Sequence, residues 1–354
     1  MAISAYARSR ERLNDICESA ADARTLRLLL VEELRRTVGF DAYVWLLTDP
    51  DTTVGCAPLA DIPPPLLAQL PRLIRLKYLT EVNRWTSLGD EALTLRQQTG
   101  GDLSRSLVWR ELLGQHGVVD ILSIVLRDRF GCWGFLDLWR LGSTGDGGAF
   151  GEPATALLGQ VRGAVTSALR RAQAAALVGR PPSTRRVGPL VLLLSPELQV
   201  LGQTPDTTEY LRQLLPTDGG QPPVPAGAYN VAAQLLAREA GVDDHPAQAR
   251  VSLPDGLWLS LRAARIDAVG GDRNIAVTIE EASPTERLSL FALAHGLSAR
   301  EAELLAHLAT GADTREVAGR MFLSEHTVQD HLKGIFAKAS VRSRRALLSR
   351  ALGT

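Results

Sequence analysis

At 354 residues the chain is more than twice the size of a typical domain, which favours two or three domains over one. Hydrophobic residues at 45% and charged residues at 22% exclude an intrinsically disordered chain and leave apolar surface for more than one core. The charges balance at 39 basic and 39 acidic residues, yet residues 288–354 carry nine basic against six acidic side chains and end, from Arg342 onward, in four arginines with no acid. This gives the tail a pull toward polyanions that the rest of the chain lacks.

Cys17, Cys56 and Cys132 are far apart and form no C-x-x-C pair, so neither a disulfide framework nor a structural zinc site is expected. Met1 is followed by Arg8, Arg10 and Glu11 and not by an apolar stretch, and no apolar run approaches bilayer length; a cytoplasmic protein with no membrane partner is the expectation. Six histidines form no H-E-x-x-H pair, and the glycine run 142–148 lacks both the strand before and the Lys-Ser/Thr after that a phosphate loop needs. Asp243, Asp244 and His245, ahead of Pro246, read as a turn more simply than as a metal site. With no nucleophile, base and orienter to assemble, no catalytic residue or metal ligand is assigned and an enzyme is not expected.

In chain order, Leu13 and Ile16 and then Leu26, Leu29, Leu30 and Leu34 mark helix, with Gly39 as its stop. Residues 41–48 and 121–126 are strand-like, and on a following strand Trp133, Phe135 and Trp139 fall on one face with Leu136 and Leu138 on the other. A glycine-rich loop at 142–153 precedes a long alanine-rich helix over 154–178. Residues 179–189, GRPPSTRRVGP, have the composition of a linker, and 216–227 that of a surface loop. Beyond the linker, 190–194 and 198–201 form a hairpin-like pair, 209–215 a helix, and 251–252, 257–264 and 275–280 strands. No repeat of fixed period is evident.

The first segment, 1–178, with its flanking helices and its Phe-Gly-Cys-Trp-Gly-Phe-Leu-Asp-Leu strand pair, resembles a GAF sensor domain. Residues 190–283, a hairpin about Ser195 followed by a short helix and a three-stranded finish, resemble a PAS fold. The fold class expected is therefore α+β, with two antiparallel-sheet sensor domains ahead of an all-α tail over 288–354.

In that tail, Ser298 with Glu301 and Asp313 with Glu316 are capping boxes, and Ser324 is a good N-cap. They set helices over 298–309, 313–321 and 324–338, with a fourth from about Ser343; the three-residue turn between the second and third is the spacing of a helix-turn-helix. Val328, Leu332, Ile335 and Phe336 turn one face of the third helix inward and leave Glu325, His326, Gln329, Asp330 and Lys333 outside, a polar face that suits a major groove but is also common on plain surface helices.

The tail resembles the DNA-binding domain of LuxR-type transcription regulators, with matches at Leu297, Ser298, Arg300, Glu301, Glu303, Gly311, Glu316, Val317, Ala318, Ser324, Thr327, Val328, His331, Ile335, Lys338, Val341 and Arg344. The resemblance implies double-stranded DNA as partner, with Gln329, Asp330 and Lys333 reading bases and Thr314, Arg315, Thr327, Lys338 and Arg344 at phosphates. Two positions depart from the family: Gln329 stands where a lysine is usual, and Asp330 where an apolar residue often stands. His331 is open between helix packing and DNA contact, while Arg300, Glu301 and Glu303 read as an internal ion-pair and capping set. The resemblance further implies a homodimer, RNA polymerase as a possible partner, and front domains that sense a small-molecule effector or another protein; no cofactor is required for DNA binding. Trp45, Trp133 and Trp139 are the candidate lining of a ligand cavity, although core packing accounts for most single tryptophans. Cys132 could carry a redox or haem role, but a buried strand cysteine is commoner. The rival reading is a ligand-binding or protein-interaction regulator whose tail does not read DNA.

Overall fold

The computed structural model describes residues 2–142, 148–177, 190–214, 225–253, 256–267 and 273–353. The expected linker at 179–189 and most of the loop at 216–227 lie outside the described residues, as does the centre of the 142–153 loop.

The opening apolar pattern is two helices, α1 (Ala2–Ser19) and α2 (Ala23–Val38). Asp22 separates them, because its carboxylate accepts the backbone N–H groups of Arg24 and Thr25 at 2.8 and 2.9 Å and so starts a new helix. Leu13, Leu26, Leu30 and Leu34 are buried, whereas Leu29 stays 40% exposed: the apolar stripe is narrower than it reads. Gly39 ends α2 at φ +68°.

The first sheet contains β1 (Ala42–Thr48), β2 (Gly55–Asp61), β3 (Leu93–Thr94), β4 (Val118–Asp128) and β5 (Gly131–Leu141), antiparallel throughout in the order β2-β1-β5-β4-β3. Short helices α3 (Pro64–Leu67) and α4 (Leu70–Leu79) follow β2, and α5 (Leu95–Thr99) and α6 (Leu107–Glu111) follow β3. On one face α1, α2 and α7 (Glu152–Ala176) bury Trp45, Ile124, Leu136 and Leu138 beneath Leu157, Val161 and Leu169. On the other, Val44, Leu46, Ile121, Phe135 and Trp139 meet Leu73, Ile74 and Trp85. Coverage of both faces explains why β4 and β5 are apolar without alternation.

The expected facing of β5 needs correction at Trp133. Leu126 pairs with Gly134 but Arg127 pairs with Cys132, so Trp133 is an extra residue in the ladder. This β-bulge reverses the parity of the pleat, and Trp133 joins Leu136 and Leu138 while Phe135 and Trp139 point the opposite way.

The second sheet holds β6 (Leu190–Leu194), β7 (Val200–Gln203), β8 (Gln248–Ser252), β9 (Trp258–Asp267) and β10 (Arg273–Glu281) in the order β7-β6-β10-β9-β8. Counted within each sheet this is the same antiparallel order as the first, a repetition of topology that no sequence period announces. Between its strands lie α8 (Thr207–Leu214) and α9 (Ala226–Glu239). The sequence reading has no helix at α9. Ala228, Val231, Ala232, Ala233, Leu236 and Ala237 are buried together with Asn230 and Gln234, so the helix has no wet face and no amphipathic period to detect.

Helix α9 lies between the two sheets, packed on α4 and β2 on one side and β9 on the other. The approach is close: a Cβ on Gly227 would come 3.3 Å from the Cys56 carbonyl oxygen. Polar links reinforce the junction. Buried Asp49 accepts from Arg250 Nε at 2.6 Å and from its second guanidinium nitrogen at 2.7 Å, and Thr52 Oγ1 donates to the Gln248 carbonyl at 2.6 Å. Asp243 is a turn residue here: it accepts from the His245 backbone N–H at 2.8 Å and from Gln234 Nε2 at 3.0 Å, and also bonds the Thr86 hydroxyl across the junction.

A helix outside the sequence reading, α10 (Pro284–Ala294), leads into the tail; Ser283 and Glu286 form its capping box. Helices α11 (Ala299–Ala309), α12 (Thr314–Met321), α13 (Glu325–Ala339) and α14 (Arg344–Leu352) follow within two residues of the expected starts and stops. The tail rests against the first sheet's β4–β5 hairpin, where Arg129 and Arg170 flank the Phe130 ring at 4.6 and 4.9 Å. Gly296, at φ +64°, permits this seat, since a Cβ there would lie 2.8 Å from the Arg170 guanidinium and 3.2 Å from Phe130.

Candidate nucleic-acid interface

The tail is built from its helix starts. Glu301 accepts the Ser298 N–H at 2.6 Å, the Glu316 and Asp313 backbone N–H groups are exchanged at 2.8 Å each, Ser324 Oγ accepts from Thr327 N at 3.1 Å, and Ser343 Oγ from Ala346 N at 3.1 Å. Each such cap stabilises by about 1 kcal/mol. Leu304, Leu308, Val317, Met321, Val328, Leu332, Ile335 and Leu347 close the core among the helices. The turn between α12 and α13 is tight: Phe322 takes the left-handed conformation at φ +55° and Leu323 N–H returns to the Ala318 carbonyl at 2.9 Å. That geometry leaves the Phe322 side chain 95% exposed.

With Val328, Leu332 and Ile335 buried, α13 presents Glu325, His326, Gln329, Asp330 and Lys333 to solvent. Gln329 Nε2 donates to Thr314 Oγ1 at 3.4 Å, joining the outer face of α13 to the N-terminus of α12. Lys333 Nζ lies 2.9 Å from Asp330, with His326 Nε2 on the other carboxylate oxygen at 3.5 Å. The bond from Lys333 holds the Asp330 carboxyl below its ordinary range, with smaller help from the two neighbouring histidines. An isolated carboxylate would repel phosphate; this one is paired with the Lys333 ammonium on the same helix, with the His326 ring on its other side. Thr327 bonds Ser324 at the start of α13, and Arg315 is exposed on α12.

Two of the expected phosphate contacts have other partners. Lys338 Nζ sits 2.6 Å from Glu301, and Arg344 donates to the Ala312 carbonyl. Burial would raise the Glu301 carboxyl, but Lys338 and the Ser298 cap outweigh it and hold it low. Arg300 pairs with Glu303 at 2.9 Å. Lys338 and Arg344 thus bind the tail together, whereas Arg342 and Arg345 are the exposed cations beside them; the acid-free run of the last residues is the signal for that pair.

A second feature lies in the front half. Between the β1–β5 face, α4 and α9 is a cavity of about 330 Å³ with walls at Val44, Leu46, Leu73, Ile74 and Ile121, Trp139 and Asn230 among its lining, and Lys77 and Asp137 at its polar end. Lys77 and Asp137 are buried and 2.9 Å apart. Asp137 also accepts from Trp85 Nε1 at 2.9 Å and from Ser123 Oγ at 2.6 Å. Burial pushes the Lys77 ammonium down against the opposing pull of Asp137.

Of the three tryptophans expected to share a cavity, only Trp139 lines this one. Trp45 is on the opposite face of the sheet, at a crevice of about 10 Å³, and Trp133 is put there by the bulge, its Nε1 donating to Asp128 at 3.0 Å. Cys132 is buried, and that burial pushes its thiol up to about 11, the direction expected of a strand cysteine packed in a core. Among the described residues no group of three or more His, Cys, Asp or Glu could hold a metal ion.

Residues 295–351 match the family of bacterial regulatory proteins of the luxR type. The probable HTH-type transcriptional regulator GfsR of Streptomyces halstedii is 46% identical over 57 residues, 16% of this chain and 24% of that one, so the match spans about a quarter of the relative. Among solved structures, the VqmA dimer of Vibrio cholerae is 18% identical over 47% of this chain and 82% of that chain at a TM-score of 0.19. SdiA in complex with octanoyl-rac-glycerol is 14% identical over 98% and 93% at 0.30. Scores this low do not equate the folds. The family match and the four capped helices agree on the same segment: residues 295–351 of this chain are a luxR-type helix-turn-helix domain.

Proposed function

We propose that the chain is a sequence-specific DNA-binding transcriptional regulator of the cytoplasm, with α13 entering the major groove and the two front sheets, GAF-like over 1–178 and PAS-like over 190–283, sensing a small molecule or a partner. The observation that carries this is the outward row Gln329, Asp330 and Lys333 on the second helix of a luxR-type helix-turn-helix. Gln329 suits an adenine edge, Asp330 a cytosine amino group and Lys333 a guanine; Thr314, Arg315 and Thr327 stand at phosphates. Lys338 and Arg344 would have to leave Glu301 and the Ala312 carbonyl to join them. The active species is a homodimer, and contact with RNA polymerase is a further partnership consistent with this role. Among the described residues no helix is long and apolar enough to cross a membrane.

Selection of binding sites from a random duplex pool, with the full chain at two salt concentrations, tests the reading. One two-fold site should be enriched, weaken with salt, and change its base preference when Gln329→Lys is made. No enrichment would return the tail to a protein-interaction module, and a monomer mass with and without DNA would remove the dimer.

A further inference from the structure

We propose that the groove between the β4–β5 hairpin tip and helices α10 and α11 binds an anionic amphiphile, an aliphatic chain with a carboxylate head. The site lies at the seam of the front half and the tail, apart from the outward row on α13. It goes beyond the regulator reading and does not rest on it.

The groove encloses about 690 Å³, inside the range of small-molecule sites. Helix α10 contributes Leu288, Ala292 and Leu293 to its walls, and α11 contributes Ala302, Leu305 and Ala306. Leu288 and Ala292 are one turn apart, as are Ala302 and Ala306, so each helix turns a continuous apolar face to the groove. Leu288, Ala292, Leu293 and Ala302 are only part-buried and Ala306 is exposed. An aliphatic chain laid along them removes that apolar surface from water.

Charge sets the head group. Two cations line the groove, Arg129 and Lys338, and no acid does. Lys338 is already bonded to Glu301 at 2.6 Å. On the hairpin, the acid beside Arg129 is Asp128, which is occupied by Arg170 at 2.9 Å and by Trp133 Nε1 at 3.0 Å. Arg129 is thus an exposed guanidinium with no carboxylate partner among the described residues. Its contact with the Phe130 ring, at 4.6 Å, consumes none of its five N–H donors, which suit the two oxygens of a carboxylate. An ammonium head would meet like charge, and a neutral head would leave Arg129 unused. Because Arg129 belongs to the hairpin of the first sheet and the apolar walls to the tail, an occupant joins the two across Gly296.

The test is calorimetric titration of the full chain with decanoate, against decanol and decylammonium, which keep the chain and change the head. Decanoate should bind at one site, about three- to tenfold more tightly than decanol, with decylammonium the weakest. Arg129→Ala should remove the preference for decanoate over decanol. Ala306→Glu puts a carboxylate on the apolar wall and should weaken decanoate about tenfold. Both positions are exposed, so each variant should keep the thermal midpoint of the parent, which separates lost binding from lost folding. Equal affinity for decanoate and decanol, preference for decylammonium, or no binding up to millimolar concentration would overturn the proposal. So would decanoate binding that survives both substitutions, since the occupied site would then be elsewhere in the chain.

Discussion

Replacing Asp330 with Asn separates the two things a carboxylate on α13 could do. It sits 2.9 Å from Lys333 and 3.5 Å from His326, so it restrains one full cation and one titratable one on the face offered to DNA. Removing the charge frees Lys333 for a phosphate and deletes one repulsion. Each additional neutralised phosphate steepens the dependence of log affinity on log salt by about 0.9, so the variant's advantage on a non-specific duplex should shrink about three- to fourfold between 50 and 200 mM salt. On the selected operator the sign should reverse if Asp330 accepts from a cytosine amino group, with a loss of about tenfold or more at that base pair. Fluorescence anisotropy with both duplexes across a salt series measures both effects. An unchanged salt slope on the non-specific duplex would refute the claim that Asp330 restrains Lys333, and uniform tightening on both would refute base reading by the carboxylate.

Asp49→Asn removes the carboxylate nearest the buried Arg250 guanidinium and leaves it Asp51 at 3.5 Å, so it should destabilise the chain by about 3 kcal/mol in urea denaturation, the low end for a broken buried pair, whereas the paired change Asp49→Leu with Arg250→Met should cost less. Glu286, which accepts from Gln248, Ser260 and Arg262 at 2.7–2.9 Å, is held down at about 2 despite burial that would raise it, chiefly by the Ser283 cap and these partners. A depressed folded value means that its stabilisation is complete above the ordinary glutamate range and is lost as pH falls from there through about 2; Glu286→Gln should abolish that part of the acid sensitivity, about 1–2 kcal/mol after solvent screening. Leu332→Ala, in the tail core, should cost about 2–5 kcal/mol by thermal unfolding and abolish DNA binding with it.

The tail was legible in the sequence because its determinants are local: Ser298, Asp313 and Ser324 each find their partners within three residues. Ser283 and Glu286 carry the same signature, and α10 was there to be read. Helix α9 was not, since a helix buried all round has no period. Nor was the facing of Trp133, because one inserted residue reverses a pleat without altering composition. The cavity brings together Lys77, Trp139 and Asn230, a set that only the topology assembles. Lys338 was identified as a cation of the tail, but its bond to Glu301 spans 37 positions and no spacing rule predicts it.

The placement of α9 bears on how the chain is made. The first sheet and its α7 are complete once synthesis passes Ala176, but the helix that walls α4 and β2 ends only at Glu239. At ~5–20 residues per second, the intervening roughly sixty residues take about 3–13 s to emerge. For that interval the nascent front half shows the ribosome surface an unroofed aliphatic hollow, with Val44, Leu46 and Ile74 in its walls. A stop or cleavage near the break in composition at 179–189 would make that state permanent, because the helix that covers α4 and β2 would never be made.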